Sequence, residues 1–204
     1  MAGTNDHLTS YPMAGSNDLS DLTIPDDLRT FFENSPVALA LGSPDADNPL
    51  ILVNGRFADL TGYSQKDLAG RNCRILQGQA EDHEARARLR TFLGDDAAVN
   101  VRTPIPNFRK DGTPFVNLLY MSRLRTLSGT TRYIFASQFD VSRAQPDRLK
   151  AYDSDLGLTL TRLSPVAAES GIILEGTLTT IANSAATIAQ ARLTLAGLDD
   201  GAIL

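Results

Sequence analysis

One run of nine residues constrains this chain more than any other: Gly70-Arg71-Asn72-Cys73-Arg74-Ile75-Leu76-Gln77-Gly78. It holds the only cysteine among 204 residues. Two arginines and two amide side chains surround that thiol. Positive charge beside a cysteine favours its thiolate, and a turn rich in arginine and amides can hold a phosphate and a polyol. Against this stands the ordinary fate of a lone cysteine, an inert small hydrophobe in a core. One cysteine forms no intramolecular disulfide, so the cytoplasm is the expected compartment. His7 and His83 are the only histidines, so no Cys/His metal site is expected.

The rest of the composition narrows the class. With 42% apolar and 21% charged residues the chain should fold into a globule. A net charge of −5 argues against general attraction to nucleic acid or anionic membrane. No apolar run reaches the length of a membrane span. The first basic residue is Arg29, so the start lacks the charged region of a signal peptide.

The pattern predicts an α+β fold: a five-stranded antiparallel sheet with short helices on one face, and helical extensions at both ends. Four segments are expected. Residues 1–24 read as a flexible lead and 25–36 as a cap helix, with Leu28, Phe31 and Phe32 on one side. Residues 37–143 form the core, and 144–204 a C-terminal helical extension. Within the core, Val37–Leu41 and Leu50–Val53 read as a hairpin across a Gly/Pro/Asp loop. Asn54 caps a short helix closed by Gly62, and Ser64 with Asp67 forms a capping box beside a Tyr63–Leu68 staple. A longer helix runs from about Glu81 to Leu93, with Arg86, Arg88 and Arg90 expected mainly in solvent.

From Ala98 onward the signal is strand. Lys110-Asp111-Gly112 and Ser128-Gly129 read as hairpin turns. Phe115–Leu124 and Tyr133–Val141 each split into two alternating sets. One face carries Asn117, Leu119, Met121, Ile134, Ala136 and Gln138, with Asn107 at a strand end. Amides converging beside an apolar wall suit the edge of a planar heterocycle. The other face carries Val116, Leu118, Tyr120, Tyr133, Phe135 and Phe139. Left bare, it would be an exposed apolar patch, so terminal segments or a second chain must cover it.

The tail predicts a short helix over Pro146–Leu156 broken at Gly157, a helix start at Ser164-Pro165, and a longer helix from about Ile172 to Ala196. In that last helix Leu174, Leu178, Ile181, Ala185, Ile188, Arg192 and Leu195 recur at four-three spacing. This stripe suits packing on the chain's own sheet and a dimer interface about equally.

Asn54–Gly78, NGRFADLTGYSQKDLAGRNCRILQG, closely resembles the signature of LOV (light-oxygen-voltage) flavin photosensors of the PAS superfamily. That signature is written GRNCRFLQG after a segment NxxFxxLTGY; here Ile75 stands where phenylalanine is commonest. The resemblance runs from about Val37 to Arg143 and implies a pocket that holds FMN, with FAD or riboflavin as alternatives. It implies that Cys73 is the photoactive thiol, that Asn72 and Gln77 contact the flavin, and that Arg74 and Arg90 bind its phosphate. Asn107 and Asn117 then meet the pyrimidine edge, Gln138 faces ring nitrogen 5, and Leu50, Leu119 and Ala136 line the wall. Leu119 departs from a frequent phenylalanine, and Leu41 occupies a position often filled by a small residue.

The implied mechanism is a reversible blue-light adduct between the Cys73 sulfur and flavin carbon 4a. Protonation of nitrogen 5 then turns an acceptor into a donor, and Gln138 answers by flipping its amide, because a buried donor facing a donor costs about 1–3 kcal/mol. The signal reaches helical extensions or the contacts of a homodimer, whose association light could alter; a downstream protein is implied but not specified.

Three other readings remain to be separated. A passive PAS or flavin redox sensor would bind ligand without bleaching. A light-regulated DNA-binding protein would use the C-terminal helices, but Arg192 is the only basic residue after Leu163. A kinase would need an ATP-binding domain, for which the tail is too short, so no enzymatic activity is expected.

Overall fold

The computed structural model describes residues 23–80, 82–176, 178 and 184–201. The expected lead lies, up to residue 22, outside the described residues. So does Ile181 of the four-three stripe.

Helix α1 (Asp26–Asn34) starts after Pro25 and buries Leu28 and Phe32. Strands β1 (Ala38–Gly42) and β2 (Leu50–Val53) pair antiparallel, as the hairpin pattern predicts. Asn54 locks the next junction: its Oδ1 accepts from the N–H groups of Leu39 and Phe57 at 3.0 Å each. Its Nδ2 donates to the carbonyls of Phe32 and Val37 at 3.0 and 2.8 Å. One buried amide therefore ties α1, β1 and helix α2 (Gly55–Thr61) together, satisfying backbone groups that burial would otherwise leave unpaired. Helix α3 (Gln65–Leu68) carries the expected Ser64–Asp67 capping box. A 3-10 turn, Cys73–Gln77, follows, and then α4 (His83–Gly94), capped by Asp82.

Strands β3 (Asn100–Phe108), β4 (Pro114–Thr126) and β5 (Thr131–Gln138) complete the expected set, in the spatial order β2-β1-β5-β4-β3. The sheet has a sixth member. After α5 (Pro146–Glu169), β6 (Ile172–Leu174) pairs antiparallel with the far end of β4. The five expected core strands are all present, and β6 is an addition from the C-terminal extension. The expected helix over Ile172–Ala196 is corrected: its first residues are strand, and α6 spans Ser184–Gly201. Leu174 and Leu178 therefore lie outside any helix, so the four-three stripe is not one helical seam.

Helix α5 is continuous where two helices were expected. Gly157 does not break it, and Pro165 lies inside it rather than at a start. The magnitudes explain why. Leu149, Leu156 and Leu163 are fully buried beneath α5, contributing about 2 kcal/mol each. A mid-helix glycine and proline cost about 1 and 3 kcal/mol, less than the three leucines together supply.

The sheet separates two apolar clusters. On the outer face Val116, Leu118, Tyr120, Tyr133 and Phe135 meet Leu28 and Phe32 of α1, the buried leucines of α5, and Ile188 and Ala191 of α6. The chain's own helices thus cover the face that needed covering. On the inner face, Ala40, Leu119 and Ala136 meet Phe57, Leu68, Leu76 and Leu89 from the helices of the core.

Candidate functional site

The inner face opens into a cavity of about 550 Å³. Its floor is set by register. Ala40 of β1 lies opposite Ala136 of β5, and Ala136 lies opposite Met121 of β4. Two alanines side by side keep the floor low enough for a flat ligand. Ile105 of β3 lies opposite Asn117 of β4 and adds to the wall. On the opposite side the nine-residue run is stitched to the sheet edge: Leu50 N–H donates to Arg71 O and Gly70 N–H to Leu50 O, each at 2.9 Å. Asn72 starts the 3-10 turn by accepting from Arg74 N–H at 2.8 Å, and its Nδ2 donates to Asp47 O. Leu76 anchors the turn in the inner cluster, while Cys73 lines the cavity. Gly78 closes the turn at φ +52, and a Cβ there would stand 2.7 Å from the Phe108 ring.

Cys73, Asn72, Arg74, Gln77, Arg90, Asn107, Asn117, Leu119, Gln138, Leu50 and Ala136 all line this one cavity. Leu41 does not: it packs in the outer cluster, and its neighbours Ala40 and Gly42 face the cavity instead.

The polar groups differ in how well they are satisfied. Asn117 Nδ2 donates to Asn107 Oδ1 at 3.0 Å, Asn107 Nδ2 donates to Pro106 O at 2.7 Å, and Asn117 Oδ1 accepts from Phe139 N–H at 3.2 Å. This pair is held by the protein. Gln138 is not: it is 2% exposed, and among the described residues neither its Oε1 nor its Nε2 has a partner. An orphaned amide costs stability unless something in the cavity answers it.

The thiol corrects one expectation. Burial pushes the Cys73 thiol up to about 12, so it stays protonated near neutral pH. The flanking arginines do not offset that. Arg74 is paired with the Asp47 carboxylate, and Arg71 is exposed, reaching Asp67 O at 3.5 Å. Arg86 corrects another: it lines the cavity with Arg90 instead of lying in open solvent, and it donates to Ala80 O at 2.5 Å. Arg86, Leu89, Arg90 and Leu93 recur at helical spacing along α4 and form one stripe on the cavity. That spacing was the available signal. Asn48, also in the lining, sits at φ +45 beside Asp47 at φ +70, and nothing in its sequence context singled it out.

A flavin fits this lining. The volume suits a cofactor-sized ligand. The apolar walls suit a fused ring, and the unpartnered Gln138 amide suits a ring edge that both donates and accepts.

Residues 36–143, just over half of the chain, match the PAS domain family. The chain belongs to the PAS superfamily. Within it, the core is a LOV domain, as its relatives show. Blue-light-activated histidine kinase 1 of Erythrobacter litoralis is 36% identical over 138 residues, 66% of this chain and 38% of that protein. The blue-light photoreceptor of Listeria monocytogenes is 40% identical over 86 residues, 42% of this chain and 33% of that protein. The crystal structure of the Rhodobacter sphaeroides LOV protein superposes with a TM-score of 0.63 at 27% identity, over 85% of this chain and 90% of that one. The last likeness extends past the LOV core into the flanking elements. This chain spans about a third of the length of the two curated relatives. Among the described residues no helix is long and apolar enough to cross a membrane.

Proposed function

We propose that this protein is a blue-light photosensor that holds FMN in the cavity beneath its LOV sheet, with Cys73 as the photoactive residue. The observation that carries the reading is the meeting of Cys73 and the orphaned Gln138 amide in one cavity with apolar walls. A bound flavin supplies blue-light absorption and a ring carbon that can accept a thiol. Cys73 offers a neutral thiol, which brings its own proton to that reaction. That bond would be reversible, with the thiol restored in darkness.

Asn107 and Asn117 would hold the ring edge, with the Leu50, Leu119 and Ala136 side chains as apolar walls. Asn72 and Gln77 contact the flavin from the turn that carries Cys73. Arg74, whose present partner is Asp47, and Arg90, with Arg86 beside them, would hold the phosphate, which favours FMN over riboflavin. Gln138 can present either its carbonyl or its NH₂ to the same ligand atom, so an amide rotation registers any change there from acceptor to donor.

The output is a change in how α5 and α6 pack on the sheet. It alters the surface offered to a second copy of the chain or to another protein, and the sensor has no catalytic activity of its own. A homodimer whose association shifts with light is part of this reading, tested by gel filtration in darkness and under blue light.

The deciding experiment is the visible absorption spectrum before and after blue light, followed in darkness. A flavin spectrum that bleaches, recovers, and no longer bleaches in Cys73→Ala supports the reading. A bound flavin that does not bleach leaves a redox or passive module. Failure to take up FMN on reconstitution overturns the site.

A further inference from the structure

Successive residues of a strand point to opposite faces. Ser137 and Phe139, on either side of Gln138, therefore face away from the cavity, and both touch the same side chain of α5. Ser137 Oγ lies 2.9 Å from the Tyr152 hydroxyl. The Phe139 ring stacks on the Tyr152 ring, with centroids 4.4 Å apart and planes at 17°. Phe139 is joined to a second cavity amide as well, since its N–H donates to Asn117 Oδ1.

The neighbouring residue of α5 fixes the helix from the other side. Asp153 pairs with Arg102 of β3, and both side chains are largely buried. Register places Arg102 opposite Tyr120, and Tyr120 opposite Ser137, so one polar row crosses β3, β4 and β5 within a largely apolar face. Tyr152 and Asp153 grip the two ends of that row. Tyr152 is 6% exposed, and burial keeps its hydroxyl protonated, so the O–H can donate or accept.

We propose that Tyr152 is the positioning residue through which α5 reads Gln138: its hydroxyl holds Ser137, its ring holds Phe139, and a shift of the backbone at 138 moves α5. The reading of the cavity as a flavin site enters only as what drives Gln138. The clamp stands on the contacts among β4, β5 and α5.

The test is hydrogen exchange of the α5 amides in four flavin-free proteins kept in darkness: wild type, Gln138→Leu, Tyr152→Phe and the double variant. We expect Gln138→Leu to change exchange over residues 149–156 by about threefold or more with Tyr152 in place, and to have no such effect with phenylalanine there. An equal effect in both backgrounds, or none in either, overturns the proposal. A residue that merely packs would lower stability but leave the Gln138 effect intact.

Flavin-loaded protein gives the second measurement. Tyr152→Phe should take up flavin and bleach as wild type does. Its light state should outlive that of wild type by about threefold to tenfold, the size expected when one hydrogen bond that favours the dark arrangement is lost. Ser137→Ala should match it, and the pair together should add nothing. Unchanged lifetimes in both single variants overturn the clamp. A wild-type protein that does not bleach sinks the photosensor reading, while the flavin-free comparison still decides on Tyr152.

Discussion

Phe135 and Ala136 are neighbours in β5 and point into different kinds of space. Phe135 is fully buried in the outer cluster, edge-on to the rings of Phe32 at 5.8 Å and Tyr120 at 6.4 Å. Ala136 opens onto a 550 Å³ cavity whose nearby Gln138 amide is buried without a partner. One face of the sheet is filled by side chains from three helices. The other keeps room and unsatisfied polarity beneath the turn that carries Cys73. The outer face holds the fold together; the inner face gives up part of that stability in exchange for binding chemistry.

Mutations should divide along the same line. Phe135→Ala should cost about 3–5 kcal/mol in denaturant unfolding, since it removes a large ring from close packing. Leu119→Ala, facing the cavity, should cost about 1–2 kcal/mol, because it enlarges existing space and loses mainly the transfer term. Its effect should appear in the flavin spectrum and affinity instead. Equal losses of stability from the two substitutions would break the comparison. Gln138→Leu sharpens it: in flavin-free protein it should raise stability by about 1 kcal/mol, because it removes a desolvated amide with no partner. A clear loss of stability would show that Gln138 is satisfied after all.

The last effect is alkaline and emerges only above pH 9. The Cys73 thiol is raised from 9.0 to about 12 by burial, so the folded state keeps its proton longer than the unfolded chain. This contribution is fully present below pH 9 and is lost as pH rises toward 12, by at most about 1.4 kcal/mol per pH unit. Cys73→Ala should flatten that limb in a pH series of unfolding curves.

The sequence was most legible where local chemistry and tertiary placement agree. Asn54, Ser64 and Asp67 form their caps in residues adjacent in the chain, so the capping pattern alone located them. The alternation of β4 and β5 sorted Asn117, Leu119 and Gln138 from Val116, Tyr120 and Phe135, because a two-residue period survives any register. The tail was less legible because burial overrides propensity there. Pro165 is tolerated on the exposed side of α5, where the carbonyl it frees, that of Thr161, can reach water. Strand β6 does carry a sequence signal: two β-branched residues, Ile172 and Ile173, between Gly171 at φ +67 and Gly176 at φ +83. The pairing of Arg74 with Asp47 had none, since 27 residues separate them and only the fold brings them together.

Strand β4 is thirteen residues long, roughly 40 Å from end to end. Near one end it carries Asn117 in the cavity; at the other it pairs with β6, which follows directly on α5. Glu175 reinforces that join, its carboxylate 2.5 Å from Arg125 and its N–H 2.9 Å from Arg123 O. Helix α5 is therefore a beam bolted at its C-terminal end and gripped near its start by Tyr152 and Asp153. Loosening the grip does not release the beam. On the proposed clamp the helix would swing about the bolt, so its signal would be an angle, and whatever listens to it would distinguish two inclinations of one surface.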